Sequence, residues 1–270
     1  MEIPLFPLHT VLCPGIVLPL HIFEDRYRAL TRHCLDTGAP FGVVLIREGR
    51  EVGGGRELAL ASVGALVEIR EAGRYPDGRF DLLAAATGRF AIDAVDPVRE
   101  PYLVADVTPL EDEVGDEDRA ERLAASAIRR FVRYLDLMRA RDGETNEELD
   151  IRVEFDSTGA DAGGSGSGED ADHAEAAEHA GDDNAVVEEL DVAEPGRSLL
   201  IPDDPTVLSY LLSGIIQIEL PRRQALLEAA TTVDRLEALL ALLDRELLLL
   251  GGRLRLFAPD PRLAGGPRRS

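Results

Sequence analysis

Apolar and polar positions in the first 110 residues form short apolar runs, which predict strands with one early helix. The runs at 3–8 and 16–22 contain prolines and flank the turn dipeptide Pro14-Gly15. Because proline cannot donate to a strand ladder, we expect these strands at an edge or on an irregular barrel. Apolar residues then recur at helical spacing over 24–37, and Gly38 is placed to end that helix.

Alternating patterns after this helix predict further strands. They lie at 41–47, 62–71, 79–87, 90–95 and 102–110, and 48–57 reads as a glycine-rich loop. The tetrapeptide Tyr75-Pro76-Asp77-Gly78 predicts a tight hairpin turn, since proline presets φ and glycine accepts a positive φ. Gly64, Gly73 and Gly88 mark the bends or bulges that a small closed barrel requires.

The second half of the chain has helical periodicity on both sides of a segment without it. Helices are predicted at 117–139, 205–216, 221–230 and 232–250. Asp204 and Pro205 form an N-cap and first helical position, and Gly251-Gly252 is expected to stop the last helix. Its leucines cover more than one face, which is consistent with packing against the barrel or against a partner.

The net charge of −22 belongs almost entirely to the segment without periodicity. Residues 142–194 contain 19 acidic residues and one arginine, whereas the other 217 residues contain 32 acidic and 28 basic ones. Self-repulsion and a lack of apolar residues predict disorder at 142–196. The folded parts lack the clustered positive charge that nucleic acids need, and Arg129, Arg130 and Arg133 are interpreted as a solvated face.

Candidate catalytic chemistry is sparse in this sequence. It contains no lysine and no phosphate-binding loop, which excludes Schiff-base and Ser-Lys chemistry. His173 and His179 are six residues apart and do not form a zinc-protease motif. We therefore expect no enzyme activity, no metal and no cofactor.

The remaining polar and sulfur-containing candidates have structural interpretations. His9, His21 and His33 lie in or beside predicted elements, and Cys34 is expected to be a small buried hydrophobe. No signal sequence or stretch of about 18 apolar residues is present. We expect a soluble cytoplasmic protein that does not insert into membranes.

Several motifs together resemble the N-terminal substrate-binding domain of the Lon protease family. The opening contains Pro4-Leu5-Phe6-Pro7-Leu8 and, after Pro14-Gly15, the run from Leu18 to Tyr27. The later matches are Gly64-Ala65-Leu66-Val67-Glu68-Ile69, Thr87-Gly88-Arg89-Phe90, Pro101-Tyr102-Leu103-Val104, Arg223-Gln224-Ala225-Leu226 and Asp234-Arg235-Leu236-Glu237. They span about 1–140 and 198–250.

This resemblance implies an α+β fold, in which a PUA-like β pseudo-barrel precedes a small helical bundle interrupted by a disordered acidic insertion. The implied divisions are the barrel at 1–115, the first helix of the helical subdomain at 116–141, the insertion at 142–197, the bundle at 198–252 and a flexible tail at 253–270. Lon needs ATPase and protease domains to cut its substrates, and this sequence shows neither. The part of Lon activity that the resemblance still implies for this chain is the recognition of polypeptide substrates.

We therefore expect a non-catalytic module that binds unfolded or extended polypeptides, with a protease or chaperone as the expected partner. The candidate recognition residues are Phe23, Glu24, Tyr27, Arg89 and Phe90. Phe23 and Phe90 are alternatively core residues, and Glu24 and Arg89 alternatively an internal ion pair. Two other functions stay open: a structural protein that forms a homo-oligomer, and an RNA-binding module, which the low charge disfavours.

Overall fold

The structure is a computed structural model that describes residues 1–48, 59–142, 154–155 and 200–257, the side chains of 141–142, 154–155, 200 and 253–257 excepted. The chain divides into two compact units. One comprises Met1–Thr145 with Pro202–Ser270, and the other comprises Asn146–Ile201. In the second unit, the described residues form two short strands that pair in parallel.

The described elements follow the predicted order of strands and helices. The strands are β1 Glu2–Leu8, β2 Val17–Ile22, β3 Phe41–Glu48, β4 Ala59–Leu60, β5 Val63–Arg74, β6 Phe80–Asp96, β7 Leu103–Leu110, β8 Glu154–Phe155 and β9 Leu200–Ile201. The helices are α1 Asp25–Thr37, α2 Glu117–Asp142, α3 Pro205–Ile215, α4 Leu220–Glu228 and α5 Thr232–Phe257.

Five strands of the larger unit close into a barrel. Their order is β1, β7, β6, β5 and β3, and the parallel pairing of β3 with β1 completes the circle. All other neighbours in this circle are antiparallel. Strand β2 lies outside it and pairs with the first half of β6, and β4 pairs antiparallel with the end of β3.

Strand β6 is a single strand of 17 residues, whereas the sequence predicted two strands separated by a bend at Gly88. The register instead shifts between the pairs Leu66–Gly88 and Val67–Ala86, so Thr87 is an extra residue in the ladder. Such a bulge bends a strand without ending it. The first half of β6 therefore pairs with β2, and the second half pairs with β7.

The barrel interior contains both aliphatic and aromatic side chains. Phe90 is 1% exposed and lies against Gly42 and Gly64. A Cβ atom at either glycine would fall 2.5–2.6 Å from the Cζ atom of Phe90. These glycines therefore create the space that the phenylalanine ring fills.

The helices pack through small residues and defined caps. The buried face of α2 includes Ala120, Ala124, Ala127 and Phe131. The three alanines are small, so α5 can pack closely against this helix. Helix α3 begins at the predicted cap, where the Asp204 carboxylate accepts hydrogen bonds from two backbone N–H groups at 2.7 and 3.0 Å.

Helix α5 continues to Phe257, so the stop predicted at Gly251-Gly252 is wrong. Glycine in a helix interior costs only about 1 kcal/mol relative to alanine. Good helix formers follow the pair, in the sequence Arg253-Leu254-Arg255-Leu256. The structure confirms the α+β class, with a β pseudo-barrel and attached helices. The predicted insertion at 142–197 lies outside the described residues apart from 142 and 154–155.

Candidate binding surface

The outward face of the sheet formed by β2, β6 and β5 carries exposed apolar side chains. The register aligns Val17 with Ala85, Pro19 with Leu83, and His21 with Asp81. Paired residues on neighbouring strands point to the same face. Residues between them, such as Leu82 and Ala84, are buried beneath this face.

Aromatic residues extend this face at one end. Phe23 is 58% exposed immediately after β2, and its ring stacks with the His21 ring at a centroid distance of 6.3 Å. Tyr75 at the end of the β5–β6 hairpin makes an edge contact with the same imidazole at 6.1 Å. We name this set the outer-sheet surface. It consists of Val17, Pro19, His21, Phe23, Tyr75, Asp81 and Leu83.

A hydrogen-bond network fixes the polar part of the outer-sheet surface. A carboxylate can only accept, so the Nδ1–H group of His21 donates to Asp81 at 2.6 Å. Arg79 Nη1 lies 3.3 Å from Nε2 of the same ring. Tyr75 donates its hydroxyl proton to the other oxygen of Asp81 at 2.5 Å. The carboxylate holds both rings in place.

The same network shifts the acid–base properties of its members. Hydrogen bonds from Tyr75 and then from His21 lower the pKa of Asp81. The Asp81 carboxylate in turn raises the pKa of Tyr75, first through the hydrogen bond and then through its charge. Asp81 is consequently ionised and Tyr75 protonated at neutral pH, which is the state that the network needs.

The free edge of β2 is a poor place to add another strand. Among the described residues, β2 pairs with β6 and has no strand on its other side. Pro19 lacks an N–H group, so it occupies a position whose donor would point away from β6. A strand added at this edge would lack a hydrogen-bond donor opposite Pro19, in the middle of β2. The geometry favours contact with the face of the sheet over extension of its edge.

Three of the predicted recognition residues lie together near the end of β2. Phe23 is exposed within the outer-sheet surface, and Glu24 is partly buried and pairs with Arg26 at 3.0 Å. Tyr27 is buried, with its ring 4.0 Å from that of Phe6 and beneath the guanidinium of Arg26. Phe23 is thus the member of this group that offers an open apolar surface.

The other two predicted residues lie in the second half of β6 and are buried. Phe90 fills the barrel core, and Arg89 is 4% exposed. Arg89 Nη1 donates to the backbone oxygens of Leu227 and Ala229, both at 2.8 Å. Glu24 pairs with Arg26, and Arg89 pairs with Asp112. The alternative that Glu24 and Arg89 form an ion pair with each other is therefore wrong.

Arg89 belongs to a buried polar cluster that joins the barrel to the helices. Its Nη2 atom lies 2.7 Å from Asp112 Oδ1, and Arg235 Nη2 lies 3.6 Å from the same oxygen. Arg235 is 0% exposed and sits 3.7 Å from the centroid of the Tyr210 ring. Tyr210 receives a hydrogen bond from Arg235 at 2.7 Å and donates its own to Asp112. We name Arg89, Asp112, Tyr210 and Arg235 the arginine latch.

The latch explains two arginines whose roles the sequence did not reveal. Arg235 also donates to the Leu226 carbonyl at 3.2 Å and to Ser209 Oγ at 3.0 Å, so its buried charge is extensively hydrogen bonded. Burial raises the pKa of the Tyr210 phenol, which keeps it protonated as a donor. No local spacing links these residues, because Asp112 and Tyr210 are 98 positions apart.

Neither cysteine is placed for reactivity. Cys13 and Cys34 are buried and free, and burial raises the pKa of each thiol to about 11. Within the described part of the chain, no cluster of three or more His, Cys, Asp or Glu side chains is arranged to hold a metal. No described helix is both long and apolar enough to cross a membrane.

The fold and the outer-sheet surface define a barrel-and-helix domain with an exposed apolar face. Two solved structures share this architecture. One is a Lon N-terminal domain protein from Xanthomonas campestris, with a TM-score of 0.53, 23% identity, and coverage of 89% of this chain and 98% of that one. The other is the N-terminal domain of Lon protease from the Mycobacterium avium complex, with a TM-score of 0.53, 17% identity, and coverage of 90% and 98%.

The chain belongs to the family of ATP-dependent protease La (LON) substrate-binding domains, whose family model matches residues 2–245. Among curated proteins, it is 22% identical to the Lon protease of Brevibacillus choshinensis over 249 residues. That match covers 91% of this chain and 25% of the protease. The chain therefore spans about a quarter of the length of this relative.

Proposed function

We propose that this chain is a non-catalytic polypeptide-binding module, which presents unfolded or extended segments to a protease or chaperone as a recognition or adaptor protein. The observation that supports this proposal is the outer-sheet surface, where Phe23, Val17 and Leu83 are 58%, 49% and 37% exposed on one continuous face. Grouped exposed apolar side chains are a feature of interaction sites. Membership of a substrate-binding family favours a polypeptide as the ligand.

The proposed binding mode follows from the structure of this surface. Apolar side chains of an extended segment would pack on Val17, Pro19 and Leu83, and its aromatic residues would pack beside Phe23. A surface of this few side chains buries much less than the roughly 800 Å² per partner of a stable complex. We expect weak and reversible binding, which suits a module that must release its ligand.

Hydrogen exchange of the full chain tests this proposal. The probe is a reduced and carboxamidomethylated protein, which cannot refold and gains no charge from the modification. Binding should increase the protection of backbone amides in β2, in the first half of β6 and in the Tyr75 hairpin. Unchanged exchange in these segments at a saturating probe concentration would contradict binding at this surface.

Matched variants separate binding from folding. Phe23→Ser and Leu83→Ser should each weaken probe binding about fivefold or more, since each removes an apolar contact worth roughly 1 kcal/mol. Val98→Ser is the control because Val98 is 86% exposed in the connection between β6 and β7. If all three variants bind equally well, the surface is not the binding site.

Tyr27, Arg89 and Phe90 require a different test because they are buried. Buried residues could affect recognition only by fixing the position of the exposed ones. Tyr27 would act in this way through α1, and Arg89 and Phe90 would act through β6. Tyr27→Leu and Arg89→Met variants that remain folded should then reduce probe affinity. Unchanged affinity would restrict the recognition set to Phe23 and the exposed residues around it.

A second candidate function is self-association. Leu248 and Leu249 of α5 are 76% and 43% exposed. These adjacent leucines would be covered in a homo-oligomer. Sedimentation equilibrium of the full chain and of a Leu248→Gln, Leu249→Gln variant tests this candidate, and a monomeric wild-type chain would rule it out.

A further inference from the structure

An exposed carboxylate borders the apolar part of the outer-sheet surface. Glu71 of β5 is the direct cross-strand partner of Leu83, which in turn pairs with Pro19. The three side chains therefore form a row across β5, β6 and β2 on the outward face. The Cβ atoms of directly opposed residues are about 4.5–5.5 Å apart. A ligand side chain that packs on Leu83 consequently lies within reach of the Glu71 carboxylate.

Glu71 differs from the neighbouring charged residues because its charge is not neutralised. In β5, Glu68 pairs with Arg70 at 3.2 Å, and at the hairpin Asp77 pairs with Arg79 at 2.7 Å. Among the described residues, none forms an ion pair with Glu71. Arg74 is opposite the buried Phe80 and lies 5.9 Å from its ring, so it belongs to the other face.

We infer that the outer-sheet surface selects polypeptide segments in which a lysine or arginine is next to an apolar residue, and that Glu71 is the residue that makes this selection. This inference rests on the proposed function of the surface. The apolar side chain would pack on Leu83 and Pro19, and the neighbouring cation would pair with Glu71. The opposite arrangement, an acidic residue at that position, would place two carboxylates together and weaken binding.

The size of the preference follows from the exposure of Glu71. A solvent-exposed ion pair contributes about 0.2–1 kcal/mol, which corresponds to a roughly 1.5- to 5-fold change in Kd. Salt screens such pairs, because the Debye length falls from about 10 Å at 0.1 M to about 3 Å at 1 M. The preference should therefore be present in dilute buffer and largely lost in 1 M NaCl, whereas the apolar contribution should persist.

Three fluorescein-labelled peptides of 12 residues provide the test by fluorescence anisotropy with the full chain. They are identical and apolar except at one position, which holds Lys, Gln or Glu. The wild-type chain should bind them in the order Lys, Gln, Glu, with steps of about 1.5- to 5-fold in Kd. Glu71→Gln should abolish the difference, and Glu71→Lys should reverse it.

The control removes one negative charge from a helix instead of from the outer sheet. Glu121 is exposed on α2, so Glu121→Gln changes the net charge by the same amount and should leave the peptide order unchanged. If the wild-type chain binds all three peptides equally, or if Glu71→Gln retains the order, the inference is wrong while polypeptide binding stands. If none of the peptides binds, the proposed function fails and this inference fails with it.

Discussion

Replacing Asp112 with asparagine tests whether the arginine latch holds the barrel and the helices together. Asp112 is the one carboxylate that the latch offers to two buried guanidinium groups, with its Oδ1 atom 2.7 Å from Arg89 and 3.6 Å from Arg235. The Asp112→Asn variant keeps the size of the side chain and removes its charge. Both arginines then remain buried without an anionic partner, which is the costly way to break an ion pair.

The expected loss of stability can be worked from the burial of the three residues. Removing one partner of a buried pair costs about 3–5 kcal/mol. The Asp112 side chain is 30% exposed, so water screens part of its interaction and we take the lower end, about 3 kcal/mol. For a folded unit of this size, 1 kcal/mol corresponds to about 2–4 °C in Tm, and Asp112→Asn should lower Tm by about 6–12 °C.

Thermal unfolding followed by circular dichroism at 222 nm measures this effect, and a surface ion pair supplies the control. Arg119 and Glu237 pair on the exposed sides of α2 and α5, with side chains 55% and 40% exposed. Glu237→Gln should cost no more than about 1 kcal/mol. If Asp112→Asn lowers Tm no further than Glu237→Gln does, the latch does not stabilise this structure and the reasoning is refuted.

Two further predictions concern the core and the thiols. Gly64→Ala should destabilise the fold by about 1–3 kcal/mol in urea unfolding, because its Cβ would lie 2.5 Å from the Phe90 ring, whereas Gly73→Ala, with 3.8 Å to the nearest atom, should cost less than about 1 kcal/mol; equal costs would show that the ring is not tightly packed. Cys13 and Cys34, with pKa values of about 11, should be about one part in a thousand thiolate at pH 8 and react with a disulfide reagent only after denaturation; rapid reaction of the native chain would contradict their burial.

Elements that depend on local chemistry could be predicted from the sequence. Helix α1 ends where glycine can adopt a positive φ, and Gly38 does so at +68° while its N–H donates to the Cys34 carbonyl. The turn at Tyr75 likewise closes through Gly78, with a φ of +84°. In both cases, the residues that determine the structure are within a few positions of each other, so the pattern contains the necessary information.

Features that depend on distant pairing could not be predicted in the same way. The barrel closes through the parallel register of Leu5 with Gly42, and the latch brings Asp112 to Arg235. A charged residue in a helical pattern ordinarily indicates a solvated position. Arg235 reads as such a residue, and only the three-dimensional structure shows the carbonyl, hydroxyl and carboxylate groups around it.

In the candidate site, the sequence likewise could not predict which individual side chains are exposed. Phe23 and Phe90 are the same residue type in similar apolar contexts, yet one is 58% and the other 1% exposed. Which of them could meet a ligand depends on β2 lying outside the barrel circle while β6 is part of it. Leu83 illustrates the point again, since it is exposed between two buried neighbours of the same strand.

Strand β6 links the two unusual features of this molecule. Its first half presents Leu83 and Asp81 to solvent, and its second half contributes Arg89 to the latch. The usual distribution is inverted at both places, with charge inside and apolar groups outside. The buried charges have carbonyl, hydroxyl and carboxylate partners close by, and these hydrogen bonds and ion pairs explain why the charges are tolerated inside the fold. In the part of the chain that the structure describes, the apolar groups of the outer-sheet surface stay exposed, although the hydrophobic effect favours their burial. The latch is therefore the structural part of β6, and the outer-sheet surface is the part to which we assign the proposed polypeptide binding.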